Sequence, residues 1–287
     1  MNRKIGSPFA FAACAVLLLS SCDQRPLDAP EEKKELMLLT TTTTQDSGIL
    51  KAITDAFEKK GYRVKTIVAG SGDVLKQGSQ GEGDVVLSHS PKAEKEWMQQ
   101  GHGVSRRMVM YNDFVLVGPP GDPAKVKGAN PAEALKAIFA AKSPFISRGD
   151  KSGTHVRELD LWKKAGVEPK GEPWYTETGQ GQGLTMEVAS QRQGYALTDR
   201  GTYLAHEKKL GMAILVENAP ALYNIYHVMP VSGEKFPRVN AKAGQAFADF
   251  LLSEEGQAVI AEFGKEKYGR SLFVPAAGKK EEEFLPN

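Results

Sequence analysis

Cysteine is nearly absent: the 287 residues hold only Cys14 and Cys22. Two thiols cannot build a disulfide framework or a cysteine-based metal centre. Long apolar runs are missing as well. Beyond the first 22 residues no stretch approaches the ~20 residues that a membrane-spanning helix needs. Excess charge of either sign is also lacking, with 37 Lys and Arg against 35 Asp and Glu. A balanced body offers no broad attraction to a polyanion, so nucleic acid is excluded as a partner and any anion site must be local. The five histidines (His89, His102, His155, His206 and His227) show no metal-ligand spacing and read as surface or core residues. A nucleophile elbow and a Walker loop are both missing.

What is present at the N-terminus is a targeting pattern. Arg3 and Lys4 precede the apolar run Phe9 to Leu19, which is too short to span a bilayer. The run closes on Leu19-Ser20-Ser21-Cys22, which resembles a bacterial lipobox. Residues 1–21 are therefore expected to be a lipoprotein signal peptide, with Cys22 left to carry lipid that tethers the protein to a membrane without crossing it. Cys14 would leave with the signal, so no disulfide is expected. Removing 1–21 takes away Arg3 and Lys4 and no acid, leaving 35 of each sign. Residues 22–34, rich in proline and charge, read as a flexible tether.

Strands and helices then alternate. Leu36 to Leu39, Arg63 to Val68 and Asp84 to Leu87 read as strands. Ile49 to Lys60, a segment through Gln80, and Pro91 to Gln100 read as helices, the last opened by Ser90 and Pro91. Leu50, Ile53 and Phe57 mark one apolar helix face. Val109 to Val117 is a long β-prone stretch, followed by a second alternating run and another β-prone stretch at Asn224 to Val231. Ala243, Phe247, Phe250 and Leu251 mark a closing helix. This order implies α/β layers in two lobes joined by two extended crossings near 110–118 and 220–230. The expected division is 35–112 and 225–287 for lobe I and 113–224 for lobe II. The run Lys279 to Glu283 reads as a solvated tail.

Four strand-to-helix turns carry hydroxyl or glycine residues where open α/β sheets bind ligands. The first is Thr40-Thr41-Thr42-Thr43-Thr44-Gln45-Asp46-Ser47-Gly48, a hydroxyl-rich turn before a helix start, where free N–H groups favour a small anion. A plain helix cap at Asp46 or Ser47 is the other use of the same residues. The second is Ser147-Arg148-Gly149-Asp150-Lys151-Ser152-Gly153-Thr154-His155. Arg148 offers a planar fork of donors, Gly149 and Gly153 allow close approach, and Ser152 and Thr154 add hydroxyls. Its plainer reading has Asp150 capping the helix and Arg148 paired with a carboxylate. Gly70-Ser71-Gly72-Asp73 adds Ser71, and Leu197-Thr198-Asp199-Arg200 adds Thr198, unless Thr198 or Asp199 is only an N-cap. Gly179-Gln180-Gly181-Gln182-Gly183 follows no evident strand and reads as a flexible turn. Trp97, Trp162 and Trp174 read as packing anchors.

Together these segments resemble the type II periplasmic binding proteins, soluble receptors of ABC importers, and within them the tungstate-binding lipoproteins. The resemblance rests on Thr40 to Gly48, Asp84 to Pro91, Met110 to Pro119, Ser147 to His155 and Tyr195 to Gly201, and runs from about Glu35 to Pro275. It implies an α/β fold of two lobes with the ligand cleft between them, and a site that includes Thr41, Thr42, Thr43 and Arg148. Ser71, Ser152, Gly153, Thr154 and Thr198 are the further candidates. The implied partners are tungstate, or molybdate, and a membrane ABC permease. The implied protein is an exported, lipid-anchored, monomeric receptor with no cofactor, no metal-cation site and no enzymatic role. The family loop often reads Thr-Thr-Thr-Ser; Thr43 stands at its last position, which keeps the hydroxyl and adds a methyl to the pocket. Molybdate, sulfate and phosphate are rival ligands for the same fold. Hydrogen phosphate would need a carboxylate acceptor such as Asp46, Asp150 or Asp199. An exported hydrolase and a membrane-reporting sensory module are the rivals from other classes.

Overall fold

A computed structural model describes residues 34–150 and 152–284. The expected signal peptide, Cys22 and all of the tether but Lys34 lie outside the described residues. Among those described, no helix is long and apolar enough to cross a membrane, and no group of three or more His, Cys, Asp or Glu is arranged to hold a metal ion.

The chain opens with β1 (Glu35–Thr41), α1 (Thr42–Ser47), α2 (Ile49–Glu58), β2 (Arg63–Ala69), α3 (Ser71–Gly78), β3 (Val85–Ser88) and α4 (Pro91–Gln99). The long β4 (Arg107–Gly118) follows. Then come α5 (Pro131–Ala140), β5 (Phe145–Ser147), α6 (Gly153–Ala165), β6 (Tyr175–Glu177), α7 (Gln182–Gln191), β7 (Ala196–Asp199), α8 (Arg200–Leu210) and β8 (Ala213–Val216). The chain closes with β9 (Tyr223–Pro230), α9 (Ala241–Leu252), α10 (Glu254–Glu262), α11 (Lys265–Tyr268) and β10 (Val274–Pro275). The apolar period of α2 works as expected, burying Ile49, Leu50, Ile53 and Phe57.

The threonine-rich segment differs from the turn expected of it. Thr42–Ser47 is helical, and the break before α2 falls at Gly48, whose φ of 84° suits a residue without Cβ. Thr44 Oγ1 donates to the Thr41 carbonyl at 2.7 Å and Thr40 Oγ1 to the Leu87 carbonyl at 3.0 Å. Asp46 and Ser47 therefore cap nothing; α2 starts from the glycine.

β1 lies between β2 and β3, parallel to both, with Thr41 opposite Ala69 and Thr40 opposite Leu87. β3 then pairs antiparallel with β9, placing Ser88 opposite His227. β9 pairs with β4 from Arg107 to Asp113. β4 changes neighbours at that point: Phe114 to Val117 pair with β7, and Leu116 to Gly118 with β8. β5 and β6 form a parallel pair, and Phe145 bridges in parallel to Tyr195, just before β7.

The buried side chains segregate in the same way. One core gathers Leu36, Leu38, Phe57, Val85, Tyr226, Phe247 and Leu251 from both ends of the described chain. Two others draw only on residues between Phe114 and Leu222, around Phe145, Trp162 and Tyr195 in one and Met186 and Tyr203 in the other. Trp97 and Trp162 are buried packing residues, as read.

In the lysine and glutamate run near the C-terminus, Lys279, Lys280, Glu282 and Glu283 are solvated as expected, but Glu281 is not. Glu281 is 8% exposed and accepts from Arg106 Nη1 at 2.5 Å, with Lys95 Nζ 3.2 Å away. Arg106 also reaches the fully buried Glu94, whose other oxygen receives Ser88 Oγ at 2.6 Å. Apolar Phe284, packed with Tyr111 and Ala276, draws the segment in.

Candidate functional site

Two sets of strand ends meet where β4 changes partners. Because β1, β2 and β3 are parallel, Thr41, Gly70-Ser71 and Ser88-His89 emerge on one edge. Because β5, β6 and the residue before β7 run parallel, Ser147-Arg148, Glu177-Thr178 and Thr198-Asp199 emerge on another. The register brings both edges to the same stretch of β4 and β9. Asp199 lies opposite Phe114, while His89 follows Ser88 and faces Tyr226, ring centroids 4.8 Å apart. Carboxyl ends of strands are where α/β sheets hold ligands.

On the first edge, Thr41 is 1% exposed, and its Oγ1 has no protein hydrogen-bond partner although it occupies the cap position of α1. Ser71 Oγ, at the start of α3, is likewise buried without a protein partner. Thr42 is exposed, and half-buried Thr43 places Oγ1 3.3 Å from His89 Nε2. Thr40 and Thr44 spend their hydroxyls on backbone carbonyls.

On the second edge, Gly149 has φ 64°, and a Cβ there would come 2.7 Å from Glu177 Cβ, so only glycine fits this turn. Thr178 N–H donates to the Ser147 carbonyl at 3.0 Å and Gly179 N–H to the Arg148 carbonyl at 2.8 Å, bracing the arginine from below. Arg148 donates through Nε at 3.0 Å and Nη2 at 2.5 Å to Asp150 Oδ2. Asp150 Oδ1 accepts the Ser152 N–H at 3.1 Å. Ser152, not Asp150, caps α6, its Oγ accepting the His155 N–H. Thr154 is buried in the first turn of α6. Thr198 is fully buried and donates to the Asp199 carbonyl at 3.2 Å. Asp199 caps α8, accepting the Thr202 N–H at 2.9 Å and its hydroxyl at 2.6 Å.

The two edges are electrostatically joined. Burial raises the pKa of Asp46, Arg148 lowers it, and Asp199 raises it. Burial likewise raises Asp199 against hydrogen bonds from Thr202 and the pull of Arg148. Gly153 meets the other edge directly: a Cβ there would lie 2.6 Å from His89 Cε1. Burial brings the His89 pKa down to about 4, so the imidazole is neutral at ordinary pH.

Residue typing missed several groups. His89, read as core or surface, faces both edges. Asn112 and Asn224 pair across β4 and β9, Asn224 Nδ2 donating to Asn112 Oδ1 and to Tyr226 Oη, both at 2.9 Å. These polar residues stand inside β-prone runs, which was the available signal. The Gly179 to Gly183 segment does follow a strand, the three-residue β6. It opens α7, where buried Gln182 donates to the Leu197 carbonyl at 2.9 Å.

The chain is similar to known proteins over most of its length. The PBP superfamily domain matches residues 28–255. The chain is 45% identical over 238 residues to the tungstate-binding protein TupA of Peptoclostridium acidaminophilum, covering 82% of this chain and 83% of that protein. The structure is similar to that of TupA from Desulfovibrio alaskensis G20, with TM-score 0.78 and 40% identity, covering 85% of this chain and 99% of that one. It is similar also to the structure described as the tungstate ABC transporter from Geobacter sulfurreducens. There the TM-score is 0.70 and the identity 47%, over 80% of this chain and 98% of that one.

Proposed function

Because this chain belongs to the PBP superfamily, and within it to the family of the TupA tungstate-binding proteins, we propose that it is an extracytoplasmic receptor that captures tungstate for an ABC importer. Its fold is that of the type II periplasmic binding proteins. It acts by binding rather than by catalysis, as its relatives do.

The observation that carries the ligand reading is the pair of unpartnered hydroxyls, Thr41 Oγ1 and Ser71 Oγ, at adjacent strand ends. A buried hydroxyl left unpaired costs about 1–3 kcal/mol, so a ligand oxygen that accepts from both repays their burial. Thr42, Thr43, Ser152, Thr154 and the Gly153 N–H complete a set rich in donors, with Arg148 supplying charge, and Thr198 joins them by giving up its bond to the Asp199 carbonyl. Arg148 then exchanges part of its pairing with Asp150 for the oxyanion. A fully deprotonated dianion suits such a pocket, whereas hydrogen phosphate also needs an acceptor. Two of the three nearby carboxylates already accept hydrogen bonds, Asp150 from Arg148 and Ser152, and Asp199 from Thr202.

Residues 35–112 with 225–287 form lobe I and 113–224 form lobe II in this reading, which the segregated cores support. The lobes close on the anion and present a docking surface to the permease. The protein works as a monomer held to the membrane by lipid on Cys22. The test is calorimetric titration of anion-free protein lacking the first 22 residues with tungstate, molybdate, sulfate and phosphate. Heat with tungstate, lost in Thr41→Val and Ser71→Ala, is the expected result. Full binding by the double variant would overturn the site, and preference for phosphate would overturn the ligand.

A further inference from the structure

His89 touches both edges of the proposed anion site. It is 6% exposed, sits on the Tyr226 ring, and presses against the first turn of α6 where Gly153 has no side chain. Its Nε2 is 3.3 Å from Thr43 Oγ1. That contact, together with the Tyr226 hydroxyl that also bonds Thr43, governs what Thr43 can offer a ligand. A hydroxyl has one proton and two lone pairs. If Nε2 is bare, it takes the Thr43 proton, and the hydroxyl shows only lone pairs to an anion. If Nε2 carries hydrogen, it donates to Oγ1, and the Thr43 proton is free to turn into the cleft. Only the second arrangement suits a pocket whose ligand has no proton to give.

We infer that His89 is a positioning residue of the anion site, its Nε2–H donating to Thr43 Oγ1 so that the Thr43 hydroxyl proton is aimed at the bound oxyanion. Gly153 provides the space in which the ring holds that orientation. The imidazole acts neutral, as a fixed dipole: burial disfavours its cation, the nearby charges of Glu94 and Arg157 oppose each other, and the Asn224 side chain and the His89 carbonyl are the acceptors that compete with Thr43 for its single N–H. This assignment deepens the tungstate reading and rests on it.

The test joins a double-mutant cycle in tungstate affinity to the nitrogen spectrum of the ligand-free protein. His89→Ala weakens tungstate binding roughly tenfold when Thr43 is present, the scale of one hydrogen bond to a charged group. In a Thr43→Val background the same change costs less than about threefold, because the group it positions is gone. His89→Gln, which keeps an N–H donor, stays within about threefold of the parent. Melting temperatures confirm that each variant is folded. The 15N spectrum of His89 shows a protonated Nε2 and an unprotonated Nδ1. Additive losses, or a bare Nε2, overturn the assignment. If the parent protein binds no tungstate, the receptor reading fails by itself, while the nitrogen spectrum still decides whether His89 donates to Thr43.

Discussion

Arg148 and Asp150, two residues apart, share two hydrogen bonds to a single carboxylate oxygen, at 3.0 Å from Nε and 2.5 Å from Nη2. The pairing uses Nε and Nη2 and leaves Nη1 outside it. Arg148→Ala should weaken tungstate binding by at least about a hundredfold, because charge-assisted bonds contribute about 1.5–3 kcal/mol each. Arg148→Lys keeps the charge but loses the planar fork, and a loss of roughly tenfold is expected. Calorimetry on the three proteins checks the order; equal affinity in all three would remove Arg148 from the site.

Gly153→Ala separates helix propensity from packing. Alanine in a helix is favoured over glycine by about 1 kcal/mol, so propensity alone predicts a more stable protein. The new Cβ would stand 2.6 Å from the His89 ring, however, and overpacking of that kind costs about 1–3 kcal/mol. The variant should melt no higher than the parent and bind tungstate roughly tenfold more weakly. A higher melting point with full affinity would show that the ring moves aside freely.

Glu158 gives a pH prediction. Its Oε1 accepts from Tyr175 Oη at 2.7 Å and Trp162 Nε1 at 3.2 Å, and burial raises its pKa from 4.5 to about 7. Below pH 4.5 the group is protonated in both states. Between 4.5 and 7 the unfolded chain gives up its proton first, so stability falls as pH rises and levels off above 7. Glu158→Gln keeps the acceptor and cannot ionise. Urea titrations at pH 8 should find the variant more stable than the parent, by on the order of 2 kcal/mol, with little difference at pH 4. A parent whose stability is flat from pH 5 to 8 would contradict this.

Glu281→Ala removes one of two carboxylates around Arg106 and frees the C-terminal turn. A loss of about 2 kcal/mol is expected in chemical unfolding, the scale of a hydrogen bond between charged groups. A change within 0.5 kcal/mol, the range usual for surface positions, would return this segment to solvent.

Much of the architecture was legible because it rests on period. Leu50, Ile53 and Phe57 announced a helix face, and the β-prone Val109 to Val117 announced the strand that serves all three cores. The threonine run misled for a local reason. Residues that favour strands and turns are bent into a short helix once Thr40 and Thr44 find carbonyls and Gly48 absorbs the left-handed turn. The hydroxyl and arginine candidates stood out by type. His89, Asn112 and Asn224 did not, since what distinguishes them is the pairing of β3, β4 and β9, which brings together residues more than a hundred positions apart. Glu281 in the charged C-terminal run was misread because charge alone cannot reveal that Arg106 waits 175 residues upstream.

The sharing of β4 reaches beyond the cleft. Its first half is hydrogen-bonded to β9 and β10 and its second half to β7 and β8. None of the three cores described can melt without releasing an edge of the strand that the others are built on. Heat should therefore take residues 34–284 apart in one cooperative step, with a calorimetric enthalpy equal to the van't Hoff value, despite the separate cores. An anion held between the strand edges would then raise the melting temperature of the whole body at once, by mass action on a single equilibrium.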